Sequence, residues 1–127
     1  MFDVIYAKTG VAVPPGLITD LKIEKKNLKK NEYVTREGQI EKYAYVIRKG
    51  GVKIIYHLND TDYILGFWFA GDMFSSLVSF LEQMPSEVSV VTIAETEVER
   101  VDYLQIQKYY GQYHIVSEVG RKIIEYM

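Results

Sequence analysis

The side chains best suited to chemistry in this 127-residue chain are few, and none stands in a catalytic arrangement. There is no cysteine. That excludes a thiolate nucleophile, a zinc–thiolate site, an iron–sulfur cluster and a disulfide scaffold, and it fits a reducing cytoplasm. The only histidines are His57 and His114, and neither has a second histidine two or four positions away to share a metal. Serines gather at Ser75, Ser76, Ser79, Ser86 and Ser89, yet no Gly-x-Ser-x-Gly elbow presents one as a nucleophile. Asp60-Thr61-Asp62 lacks the further oxygen ligands and distal glutamate of a calcium loop and reads as a hairpin tip. With no acid–base–nucleophile set and no metal cluster, the chain is expected to be neither an enzyme nor a metalloprotein.

Binding chemistry is better represented. Lys22, Lys25, Lys26, Lys29 and Lys30 form a basic stripe that suits phosphate contacts or, equally, a lysine-protected edge strand. The net charge of −2 argues against a protein that coats nucleic acid. The most informative stretch is Ala70–Glu87. A strand ends, Gly71-Asp72 turns the chain, and a short helix opens at Ser75-Ser76. Free N–H groups at such a helix start favour an anion. The candidate pocket is Gly71, Phe74, Ser75, Ser76 and Leu77, faced by Ser86 and Glu87 at the start of the next strand.

The elements that must position these residues are legible from period and punctuation. Strands are expected at Glu32–Glu37, Lys42–Lys49, Val52–Leu58, Tyr63–Phe69, Glu87–Ile93 and Glu97–Tyr103. Glycine or Asn-Asp signals separate several of them. Gly50-Gly51 suits a tight reversal and Asn59-Asp60 a hairpin tip. A helix is expected between Met73 and Met84, with Leu77, Phe80 and Leu81 in the core. Ser75 or Ser76 caps it and Pro85 stops it. A weaker helix covers Leu17–Leu21, and another Tyr103–Tyr113. Beyond it, Ile115, Val119, Ile123 and Tyr126 form an apolar stripe suited to a dimer seam. That stripe runs to the chain end without a glycine cap or proline stop, as a helix does when it is cut rather than finished. No apolar run reaches 18 residues, so no membrane span is expected.

Residues 30–38 (Lys-Asn-Glu-Tyr-Val-Thr-Arg-Glu-Gly), Tyr45–Val52 around Gly50-Gly51, and Gly71-Asp72-Met73-Phe74 carry a resemblance. They resemble the cyclic-nucleotide-binding domain of the Crp/Fnr family of bacterial transcription regulators. The resemblance implies a mainly β fold, a β-roll (double-stranded β-helix) with flanking α-helices, in one sensor domain over residues 1–127. It also implies that residues 71–86 are the phosphate-binding cassette and that 115–127 begin a dimer helix. In cyclic AMP-binding members a glycine and a glutamate open the cassette helix, and an arginine ten residues later clamps the phosphate. Here Ser75, Ser76 and Ser86 stand at those positions. The resemblance therefore implies a regulator sensor that does not bind cyclic AMP, has no identified effector and dimerises in its parent protein. It would reach DNA only through a helix-turn-helix domain that this chain lacks. The alternative is a ligand-free dimerisation or protein-interaction module.

Overall fold

The computed structural model describes residues 1–10, 12 and 15–110. The order is α1 (Phe2–Thr9), α2 (Pro15–Asp20), β1 (Glu24–Leu28), β2 (Tyr33–Thr35), β3 (Tyr43–Lys49), β4 (Gly51–Leu58), β5 (Thr61–Phe69), β6 (Met73–Phe74), α3 (Leu77–Glu82), β7 (Ser89–Thr92), β8 (Thr96–Asp102) and α4 (Tyr103–Tyr110). Two four-stranded antiparallel sheets result, ordered β1-β8-β3-β6 and β2-β7-β4-β5. The chain crosses between the sheets rather than finishing one first, which is the β-roll expected from the sequence.

The core between the sheets holds Tyr45, Ile47, Val52, Phe74, Val90 and Val98. Phe74 is its centre. Its ring stacks on Tyr45 at 4.7 Å and on Trp68 at 5.2 Å between centroids. A second cluster lies where α1 docks: Met1, Val4 and Ile5 pack with Val46, Met73 and Val101. Arg48 ties that helix down, reaching Asp3 at 2.7 Å and Glu99 at 2.6 Å. The Arg48 guanidinium holds the Asp3 carboxyl well below its ordinary range.

The turns follow their residue types. Asn59 and Asp60 both take positive φ (52° and 62°), closing β4 onto β5 as a two-residue hairpin. Gly50 does something different from the reversal expected of it. It has φ 86° and switches the chain from one sheet to the other, since β3 and β4 do not pair. A Cβ there would lie 2.3 Å from the Glu95 carbonyl oxygen, so glycine alone fits. The lysine stripe includes Lys25 and Lys26 on β1, an exposed edge strand.

Three expectations need correction. The helix after Met73 is shorter, Leu77–Glu82, because Gln83 turns left-handed (φ 51°) two residues before Pro85. Its buried face is Ser79 and Phe80; Leu81 is 46% exposed, not core, and Leu77 is only half-buried. Helix α1 was not expected at all. Its Val-Ile-Tyr run suits a strand by propensity, but Met1, Val4 and Ile5 share one helical face and Gly10 closes it (φ 71°). Helix α4 starts at Tyr103 as expected, with Leu104 N–H donating to Asp102 Oδ1 at 2.7 Å. Residues 111–113 of that expectation lie outside the described residues.

Because Phe74 bridges the sheets, Phe74→Ala is expected to destabilise the chain by about 3–5 kcal/mol. Urea unfolding would read this as a lower midpoint with an unchanged slope.

Candidate functional site

The segment singled out from the sequence begins at a tight corner. Gly71 adopts φ 92° and its N–H donates to the Ile47 carbonyl at 2.9 Å. Asp72 accepts from the Phe69 N–H at 2.8 Å, fixing the turn out of β5. Strand β6 then pairs Phe74 with Tyr45, and Ser75 Oγ donates to the Tyr43 carbonyl at 2.9 Å. Ser76 occupies the N-cap of α3 but makes no capping bond to the helix. Its hydroxyl turns instead to Ser86, Oγ to Oγ 2.7 Å.

The protons at this pair can be assigned. The Ser86 hydroxyl is 2.7 Å from the Val88 carbonyl, which only accepts, so the Ser86 proton goes there. Ser76 must then be the donor in the Ser76–Ser86 bond. The Ser86 N–H is also used, donating to the Gln39 carbonyl at 2.8 Å. Both serines are buried, at 7% and 3% exposure. The structure thus brings Ser76 and Ser86 together, turns Ser75 to the Tyr43 carbonyl instead, and leaves Glu87 exposed. Ile115, Val119, Ile123 and Tyr126 lie outside the described residues, as does His114.

Sequence reasoning missed the residue that organises the segment. Glu41 is 2% exposed, and its carboxylate accepts from the Thr35 hydroxyl, from Tyr45 Oη at 3.1 Å and from the Tyr43 N–H at 3.1 Å. Glu41's own main chain binds the α3 region. Its N–H donates to Ser79 Oγ at 2.8 Å, and its carbonyl accepts from Gln83 Nε2 at 3.0 Å. Burial pushes the Glu41 carboxyl above its ordinary range, although these donors pull the other way. Burial, together with the charge and hydrogen bond of Glu41, pushes the Tyr45 hydroxyl upward. The signal available in the sequence was the alternation Glu41, Tyr43, Tyr45, Ile47, a period of two that continues the inward face of β3.

Residues 25–113 match the family model for the cyclic nucleotide-binding domain, most of the chain. The chain belongs to that family. Solved structures agree on the fold. The sensor domain of the transcriptional regulator DNR from Pseudomonas aeruginosa aligns at TM-score 0.79 and 15% identity, covering 98% of this chain and 91% of that one. A cyclic nucleotide-binding domain from Methylobacillus flagellatus aligns at 0.81 and 13% identity, covering 98% and 72%. The Thermus thermophilus catabolite activator protein aligns at 0.77 and 14% identity. That match covers 96% of this chain but only 56% of the activator. No curated protein sequence matches. The cyclic-nucleotide-binding domain and β-roll fold read from the glycine frame are therefore borne out. Among the described residues no helix is long and apolar enough to cross a membrane, and no cluster of metal-ligating side chains occurs.

The raised carboxyl of Glu41 gives a pH signature. Above about pH 4.5 an unfolded Glu41 has released its proton while the folded one still holds it. The folded state then binds more protons, so this group's contribution to stability falls as pH rises from there through the folded value. Urea unfolding across pH 4–8 is expected to show the stability difference between the natural chain and Glu41→Gln shrinking as pH rises. A difference that grows with pH would reverse the assignment.

Proposed function

We propose that the chain is one sensor domain of a Crp/Fnr-type transcription regulator, non-enzymatic and cytoplasmic, whose cassette does not take cyclic AMP. The observation that carries this reading is the proton assignment at Ser76 and Ser86. At the two positions where cyclic AMP-binding members hold a glutamate and an arginine, the Ser76 hydroxyl donates to Ser86 and the Ser86 hydroxyl to the Val88 carbonyl. None of these donors is left for a cyclic phosphate, and no carboxylate is left for a ribose hydroxyl. Each charge-assisted hydrogen bond contributes about 1.5–3 kcal/mol. Two missing contacts remove roughly 3–6 kcal/mol, or about a hundredfold to ten-thousandfold in affinity.

In this reading the parent protein is a homodimer joined through residues 115–127, and DNA is met by a further domain. A second reading, a protein-interaction module without ligand, is favoured by the outer strand β5. There Ile64, Leu65, Phe67 and Phe69 are each about half exposed or more.

Calorimetry with cyclic AMP tests the proposal. The natural chain is expected to give no binding heat at micromolar nucleotide. Ser76→Glu with Ser86→Arg and Glu87→Ser is expected to gain at least a hundredfold, with the fold checked by circular dichroism. Micromolar binding by the natural chain would overturn the reading of Ser76 and Ser86.

A further inference from the structure

Beside the cassette, on the far side of Glu41, an open cleft of about 470 Å³ lies between the β2–β3 loop and the end of β8. Val34, Ile40 and Tyr43 give it apolar walls, and Arg100 and Lys42 give it positive charge. It shares no residue with Ser75, Ser76, Ser86 or Glu87.

Arg100 is the unusual member. Its guanidinium stacks over the Tyr43 ring, 3.8 Å from the centroid. Its Nη2 reaches Glu24 at only 3.5 Å, on the exposed edge strand. Its Nε is buried without any acceptor, and it is the one buried side-chain polar atom among the described residues in that condition. An unpaired buried donor is costly, and for a charged group more so. A guanidinium edge with one nitrogen unpaired and its neighbour weakly paired has the geometry that a carboxylate fills with two parallel bonds. The other acid of the cleft, Glu41, is already occupied by Thr35, Tyr43 and Tyr45 and does not turn to Arg100.

We propose that this cleft binds a small organic monocarboxylate with a flat apolar body, its carboxylate on the Nε–Nη2 edge of Arg100 and its body against Val34, Ile40 and Tyr43. An inorganic anion would satisfy Arg100 but leave the apolar walls wet. A neutral ring would leave Nε unpaired. Nε is closed off in the free chain, so binding requires the guanidinium to turn on the Tyr43 ring and leave Glu24, a weak contact to give up. The floor of the cleft is wired to the cassette. Gly38 N–H donates to the Ser86 carbonyl and Ser86 N–H to the Gln39 carbonyl, each at 2.8 Å, while Ile40 bridges to Pro85. Occupancy would therefore bear on the loop that braces α3. The site stands on its own side chains, whether or not the domain serves a DNA-binding regulator.

Benzoate is the probe, with benzamide as its uncharged counterpart, followed by amide NMR on the full chain. Benzoate is expected to shift the Gln39, Lys42, Tyr43 and Arg100 amides saturably, in the millimolar range, and benzamide is not. Arg100→Gln is expected to weaken benzoate about tenfold or more. Arg100→Lys, which keeps the charge and loses the fork, is also expected to weaken it, and it serves alone if the glutamine variant fails to fold. Equal shifts from benzamide, shifts centred on Ser76 and Ser86, affinity indifferent to the Arg100 changes, or no saturable shift would each overturn the assignment. Failure of cyclic AMP to bind leaves this result untouched, so the two proposals fail separately.

Discussion

A buried carboxylate has to be satisfied from several directions at once, and the architecture around Glu41 is organised by that demand. Removing such a group from water costs several kcal/mol after relaxation. Each hydrogen bond that it accepts returns about 1–3 kcal/mol. One partner is not enough; the side chain is tenable only where β2 and β3 both converge on it. Thr35 comes from β2 and Tyr43 and Tyr45 from β3, while the Glu41 main chain holds Ser79 and Gln83 of the α3 region. The Tyr45 ring that reaches Glu41 is the same ring that stacks on Phe74 in the core. Polar satisfaction and apolar packing thus fix one another, and neither sheet can slide without breaking both.

In the function proposed above, this constraint is what lets the segment hold its shape without a nucleotide. A ligand that enters a cassette ordinarily supplies charge at the helix start and bridges to the strand that follows. Here the Glu41 main chain holds Ser79 and Gln83, and the Ser76–Ser86 bond joins the helix start to the segment before β7. Main-chain bonds between Gly38, Gln39 and Ser86 complete the brace. In the proposed reading, these internal bonds take the place of a charged pair and a bound phosphate. Arg100, with its Nε unpaired and its guanidinium on the Tyr43 ring, lies beside this brace at the neighbouring cleft.

Much of the fold was legible because local signals agreed with it. The alternation in β4, the Asn59-Asp60 turn and the glycine at 71 each act through backbone preferences that operate within a few residues. The cassette was located for the same reason, and Ser76 and Ser86 do meet. What escaped was decided at long range. Whether Gly50 closes a hairpin or changes sheets depends on Glu95 and Thr96, far along the chain. Leu81 belongs to the apolar stripe of its helix, but in the six-residue α3 it stays exposed, and Ser79 takes the inward place by bonding Glu41 and Met84. Glu41 looked like one surface acid among many, since its partners lie on three different elements. Helix α1 was hidden by β-branched residues whose helical form is stabilised by docking rather than propensity.

The central claim, that the cassette is locked from within, is tested most directly by native-state hydrogen exchange at its main-chain anchors. The Phe80 N–H donates to the Ser76 carbonyl, the Ser86 N–H to Gln39 and the Gly38 N–H to Ser86, each at 2.8 Å. If Glu41 and the serine pair hold the segment, these three amides are protected in the nucleotide-free chain to nearly the level of the β3 core, and millimolar cyclic AMP leaves them unchanged. Amides that exchange freely in the free chain and become protected only when cyclic AMP is added would contradict the account.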